Sequence, residues 1–194
     1  VGLMAIKVLG SSGSGPMSWS MEAVRYATDN GAKVINMSLG ANLRKCSQDY
    51  QSSIDYALSK GVTIVVAAGN ADPTTGWQAI DAANASPASC NGVIVVGNSN
   101  QNDQRNSSSN FGLRVDIAAP GTGILSTWPT YVTVKDPTRP CYNVTNYCSI
   151  SGTSMASPHV AGVVALLLSV NPNLSPVQVK DCLVNNADPI LTDR

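Results

Sequence analysis

The sequence predicts an α/β fold, a mostly parallel sheet with helices on both faces. Three observations carry that prediction. Short apolar runs alternate with single segments of helical period, as in chains that build parallel sheets. Val62–Ala67 is apolar or β-branched at almost every position, the pattern of a strand covered on both faces. The breaks between segments fall on glycine and proline, which end regular structure for steric reasons.

Taken in order, Ala5–Leu9 reads as a short apolar strand. Ser20–Asn30 reads as a helix with Met21, Val24 and Ala27 or Thr28 on one face and Gly31 as its C-terminal cap. Val34–Ser38 is the next strand, and Gln48–Lys60 the next helix, with Ile54, Tyr56, Ala57 and Leu58 as its apolar residues and Gly61 as its stop. Val62–Ala67, Val93–Val96 and Val115–Ala118 follow as strands. Thr153–Val170 is apolar nearly all round and is expected to be buried on all sides, ending at Asn171-Pro172. Ser175-Pro176 supplies an N-cap and a first helical residue for a last helix to about Asn186. In such sheets ligands bind at the carboxyl ends of the strands.

A chain of 194 residues with 43% apolar content can bury one sizeable core, and no composition shift marks a second domain. Formal net charge is zero and 12% of residues are charged, which argues against a nucleic-acid partner. Ser and Asn supply the polar surface instead. No apolar run reads as a membrane span of about 18 residues or more.

The run Ser151-Gly152-Thr153-Ser154-Met155-Ala156-Ser157-Pro158-His159-Val160-Ala161-Gly162 leads a small-residue loop straight into an apolar helix. A helix N-terminus has unpaired N–H groups and partial positive charge, so negative charge developing beside Ser154 is stabilised there. A serine nucleophile also needs a base and a carboxylate to orient that base. The chain's one histidine, His159, lies five residues past Ser154 and points roughly 140° away around a shared helix. It cannot pair with Ser154 and is expected to pack or hydrogen-bond.

At these residues the chain resembles the subtilisin-like serine proteases. Lys7-Val8-Leu9-Gly10, Val34-Ile35-Asn36-Met37-Ser38-Leu39-Gly40, Val66-Ala67-Ala68-Gly69-Asn70 and Ala119-Pro120-Gly121 recur in the family's order, so the resemblance covers almost the whole chain. It implies that residues 1–194 are the middle and C-terminal part of one subtilisin-like catalytic domain, incomplete in this chain. The family's Asp and His segments precede the matched region and a last strand and helix follow it. The expectation is therefore a serine endopeptidase, either one chain of a nicked enzyme or an incomplete piece of it. A companion N-terminal chain would supply Asp and His, with a short C-terminal chain beside it.

The resemblance makes Ser154 the nucleophile and Asn70 the oxyanion-hole side chain. It makes Gly13, Ser14 and Gly15, and Ser38, Leu39 and Gly40, two extended segments that hold a substrate backbone between them. Ala67, Ala68, Gly69 and Ala85 would line a primary specificity pocket whose small walls favour a large apolar side chain or broad preference. A carboxylate at its rim, Asp72 or Asp81, would instead favour a basic one. Peptide or protein substrates and a propeptide or inhibitor are the implied partners.

Five cysteines fit a secreted or extracytoplasmic enzyme, and none has zinc-finger spacing. Cys46 opens the second helix and Cys90 precedes the Val93 strand, so a bridge between them would tie adjacent loops. Cys141 and Cys148 would close a short segment that the plainest family members lack. Cys182 is then left over, as a buried thiol or a link to another chain. No cofactor is required for the chemistry, and structural calcium is a further implication of the resemblance, although no Asp cluster has metal-ligand spacing. Three other readings compete. A catalytically inactive binding subunit would keep the fold without the base. A nucleotide site after Gly10 lacks the Gly-x-Gly-x-x-Gly spacing, and an α/β-hydrolase elbow would need glycine where Ala156 stands.

Overall fold

The computed structural model describes residues 1–71, 76, 78–132, 134, 137 and 140–189. Along the chain run α1 (Met17–Asp29), β1 (Val34–Met37), β2 (Ala41–Asn42), α2 (Gln48–Ser59), β3 (Thr63–Ala67), β4 (Ala85–Ser86), β5 (Ile94–Ser99), β6 (Ile117–Pro120), β7 (Ile124–Thr127), β8 (Tyr147–Ile150), α3 (Thr153–Val170) and α4 (Pro176–Asn185). The central sheet is parallel with strand order β1-β3-β5-β6.

Because side chains alternate across a strand, β3 feeds two cores. Ile64 and Val66 join Val24 of α1 and Tyr50, Ile54 and Ala57 of α2 on one face. Val65 joins Ile94 and Val96 of β5, Val160 and Val164 of α3, and Val179 and Leu183 of α4 on the other. Each fully buried aliphatic side chain contributes about 1.5–3 kcal/mol. Every residue of β3 is buried.

Local chemistry sets the helix ends. The Ser47 hydroxyl accepts the Tyr50 N–H ahead of α2. Ser175 and Gln178 form a reciprocal capping box around the start of α4, with Pro176 in its first turn. Gly31 and Gly61, just past α1 and α2, both have positive φ, which glycine adopts without a Cβ penalty.

Several expectations need correction. Ala5–Leu9 forms no strand: the first residues are irregular and largely exposed, and no backbone ladder among the described residues pairs with them. The last strand of the sheet lies two residues beyond Val115–Ala118. Asp116 instead exchanges bonds with Val95, its N–H donating to the Val95 carbonyl and its carboxylate accepting the Val95 N–H, so pairing proper begins at Ile117. Two antiparallel ribbons, β2 with β4 and β7 with β8, lack the apolar alternation that reveals a strand. Helix α3 is not buried on all sides: Val163, Leu166 and Val170 are exposed, Leu166 at 65%. By length and composition α3 also qualifies as a membrane span, contrary to the reading of the sequence. Its packing against the sheet makes it a core helix on its inner face.

The structure joins Cys46 to Cys90, with Cα atoms 5.1 Å apart across 44 residues. It joins Cys141 to Cys148, 5.9 Å apart across 7 residues. Cys182 is unpaired among the described residues and half-buried. Because a cross-link stabilises mainly by restricting the unfolded chain, the longer loop gains more. Replacing Cys46 and Cys90 by Ala is expected to cost about 4 kcal/mol, and replacing Cys141 and Cys148 about 2.5 kcal/mol. Denaturant unfolding of the two double variants checks this ordering, and a larger loss from the short loop would contradict it.

Candidate active site

Ser154 stands in the first turn of α3, and its position follows from Pro158 four residues later. Proline has no N–H, so it cannot bond the carbonyl four residues back, which is that of Ser154. The Ser38 hydroxyl, just past β1, donates to that stranded carbonyl at 2.8 Å. Ser38 is oriented in turn by Asn36, whose amide donates to its hydroxyl at 3.0 Å. The Ser157 hydroxyl donates to the Asn36 amide oxygen at 2.6 Å. The Ser154 hydroxyl itself reaches the Ser38 carbonyl at 3.3 Å, a long contact that leaves the oxygen available.

Asn70 lies just beyond β3 and is held by the residue before Ser154. The Thr153 N–H donates to the Asn70 amide oxygen at 2.9 Å. That bond fixes which end of the amide is which, and leaves the Nδ2 hydrogens as donors with no partner among the described residues. The completely buried Thr153 hydroxyl accepts the Gly69 N–H at 3.2 Å. The Asn42 amide donates to the Asn70 carbonyl at 2.9 Å. Ser154 and the Asn70 amide are therefore tied through adjacent residues of one helix turn.

Behind them lies Asn110, which is buried and bonded on every side. Its Nδ2 donates to the Asn42 amide oxygen and to the Ala68 carbonyl, each at 2.9 Å. Its Oδ1 accepts the Ile80 N–H at 3.0 Å. Gly69 passes this hub at φ +97, and a Cβ there would collide with the Asn110 amide and lie 2.9 Å from the Asn42 oxygen. Thr153, Asn36, Asn42 and Asn110 were not singled out as site residues from the sequence. Pro158, four residues past a candidate nucleophile, is the signal that could have pointed to a partner for the Ser154 carbonyl.

A cavity of about 530 Å³ opens beside Ser154 and Asn70, with Leu39 and Gly40 on one wall and Ala71 on the other. Asn42 and Arg44 also line it. Ala67, Ala68 and Ala85 do not line it, because they are buried in the sheet and in the β2–β4 ribbon behind. Gly69 is likewise behind the wall, facing Asn110. Gly13, Ser14 and Gly15 are not an extended segment. Gly13 has φ +75 in an exposed turn, closed by bonds from the Gly13 N–H to the Gly10 carbonyl and from the Gly10 N–H to the Ser14 carbonyl. No hydrogen bond among the described residues ties that turn to Ser38, Leu39 or Gly40.

His159 Nδ1 donates to the Met155 carbonyl at 2.8 Å, one turn back on α3. Its ring is thus engaged with its own helix. Asp81 caps the short turn at Ala82–Asn84 by accepting the Ala83 N–H, and Asp72 lies outside the described residues. No three His, Cys, Asp or Glu side chains among the described residues are grouped to hold a metal. The one described carboxylate that is not exposed, Asp116, faces the Lys180 ammonium at 2.8 Å. A second, larger cavity of about 1040 Å³ lies away from Ser154, between the first residues, α1, β1 and the Pro158–Ser169 stretch of α3.

A parallel sheet covered on both faces, with a serine at the start of its central helix clamped to an asparagine beyond a strand, defines a subtilisin-like domain. The subtilase family model matches residues 1–194, and the chain belongs to that family. It is 39% identical to thermitase from Thermoactinomyces vulgaris, over 97% of this chain and 58% of that protein. It is 40% identical to subtilisin DY from Bacillus licheniformis, over 96% of this chain and 61% of that protein. Among solved structures, a cold-adapted subtilisin-like serine proteinase superposes with a TM-score of 0.79 at 37% identity, covering 96% of this chain and 61% of the other. The chain thus spans about three fifths of the length of these relatives.

The hub gives a direct test of the site's rigidity. Gly69→Ala introduces an unfavourable φ and a clash with the Asn110 amide, at an expected cost of about 1–3 kcal/mol. Thermal unfolding should show the loss. The same variant should broaden or shift the NMR amide signals of Asn70 and Thr153, and unchanged signals would show that the hub does not hold them.

Proposed function

We propose that this chain is the nucleophile-bearing part of a serine endopeptidase, in which Ser154 attacks the scissile carbonyl of a peptide. Asn70 Nδ2 donates to the oxyanion that forms. The observation that carries this reading is the bond from the Thr153 N–H to Asn70 Oδ1, which turns the amide donors outward next to the nucleophile. A neutral donor held in advance stabilises developing negative charge without competing as a base. The start of α3, where the Ser154 N–H has no partner among the described residues, adds partial positive charge on the same side. Ser38, Leu39 and Gly40, on one wall of the cavity, offer backbone groups to an extended peptide.

The general base and its orienting carboxylate come from outside these 194 residues, from a companion segment or chain. His159 lies five residues past Ser154, bonded through Nδ1 to the Met155 carbonyl of its own helix, and no other histidine is present. The trough of about 1040 Å³ beside α3, with the open edge of β1, offers apolar surface on which such a companion packs. Two disulfides support an extracytoplasmic setting, where thiols stay oxidised.

Two measurements test the reading. Residues 1–194 alone should not turn over peptide, whereas the assembled enzyme should. In the assembled enzyme a fluorophosphonate should label Ser154, and Ser154→Ala should abolish both labelling and turnover. Asn70→Leu should lower kcat by roughly two to three orders of magnitude with little change in KM, the range known for an asparagine donor in this family. A steep rise in KM with kcat unchanged would place Asn70 in ground-state binding instead.

A further inference from the structure

Among the described residues, one charged side chain lines the cavity beside Ser154, that of Arg44. The other described residues that line it are neutral. A guanidinium stays protonated at any ordinary pH and presents a planar fork of donors matched to a carboxylate. The backbone around Arg44 is fixed rather than loose. Its N–H donates to the Asn84 carbonyl at 3.0 Å, extending the β2–β4 ribbon by one more bond. Leu43, with φ +57 and 72% exposed, turns the chain outward just before it. Arg44 thereby falls on the cavity while Leu43 is left in solvent.

The reacting geometry says which substrate residue meets this charge. If the attacked carbonyl sits between the Ser154 hydroxyl and Asn70 Nδ2, the residue that owns it has the side chain nearest both groups. The cavity that opens from those two residues receives that side chain. We propose that Arg44 makes this pocket select a peptide with an acidic side chain immediately before the scissile bond, an assignment that rests on Ser154 as the nucleophile. It replaces the apolar preference expected from small walls, since a cation among lining residues that are otherwise neutral where described favours a carboxylate over an uncharged isostere. Because Arg44 is exposed, water and salt screen the pair, and the preference is modest and falls as ionic strength rises.

The test compares peptides that differ only in the residue before the cut, Glu against its neutral isostere Gln, with Lys as a third, using the assembled enzyme. The ratio of kcat/KM for Glu over Gln should be about three to five, should fall toward one in 0.5 M salt or in Arg44→Gln, and should invert in Arg44→Glu with a gain for Lys. A ratio near one in the unaltered enzyme overturns the proposal. So does a Glu preference that survives Arg44→Gln, or a preference for Lys, which would hand control of the pocket to a carboxylate such as Asp72. Binding supplies an arm that does not depend on turnover. Product peptides ending in Glu or Gln, titrated against Ser154→Ala enzyme, should differ by the same three- to fivefold in Kd and only while Arg44 is present. Equal binding sinks the assignment even if no peptide is cut. Cleavage without Glu–Gln discrimination leaves the protease reading standing and removes Arg44 alone.

Discussion

Pro158 deprives α3 of one backbone donor, and the carbonyl left behind, that of Ser154, is met by the Ser38 hydroxyl from the end of β1. On the other side of the same turn, Thr153 holds Gly69 and Asn70 at the end of β3. The first turn of α3 is therefore pinned to two adjacent parallel strands at once. A helix that rolled or slid on the sheet would break both attachments together. Its inner face, through Val160 and Val164, packs against Val65, Ile94 and Val96 and removes that freedom. Apolar packing sets where the helix lies, and the polar bonds at its tip set the last fraction of an ångström between serine and amide.

The parts of this arrangement legible in the sequence are those that depend on neighbours along the chain. Ser151–Gly162 announces a helix start with Ser154 in its first turn because small residues and a helix start are local features. Val62–Ala67 announces a buried strand because every position is apolar or β-branched. What stayed hidden depends on contacts between distant residues. Nothing near Asn110 reveals that its amide will reach Asn42 and Ala68. Nothing near Arg44 reveals that a backbone turn at Leu43 brings it to a cavity beside Ser154. The turn at Gly13 looks extended by resemblance and is not, because the bonds that close it lie within Gly10–Ser14 itself. The exposure of Leu166 escaped for the opposite reason: an all-round apolar helix does not say which of its faces the rest of this chain will cover.

Asparagine does at this site what charged residues do in many others. Asn36, Asn42, Asn70 and Asn110 each bridge two segments, and an amide satisfies a donor and an acceptor at once without carrying net charge. Charges buried here would need partners of their own, and any carboxylate near Asn70 would compete for its amide donors. A chain with 12% charged residues can keep its field near Ser154 quiet, so that the helix start and the Asn70 amide dominate it. On the proposed reading of Arg44, a guanidinium at the cavity carries more selectivity against that background than it would in a crowded field of charge.

The clamp fixes Ser154 relative to Asn70, but it leaves the base unplaced. On the proposed reading, the distance from base to nucleophile is set by how a companion element seats against the outer face of α3 and the edge of β1. Ala161, Ala165 and Leu168 of α3 and Val34 and Ile35 of β1 line the trough that such a companion would fill. Proton transfer tolerates little error in that distance, since the two heavy atoms must come within about 3 Å. A packed apolar interface can hold such a distance whether or not the two pieces are joined by a peptide bond, because close-packed side chains have few alternative arrangements. Covalent continuity raises the effective concentration of the companion; it does not define the geometry. On that reading, a break in the chain between base and Ser154 would leave the chemistry intact for as long as the interface stays packed.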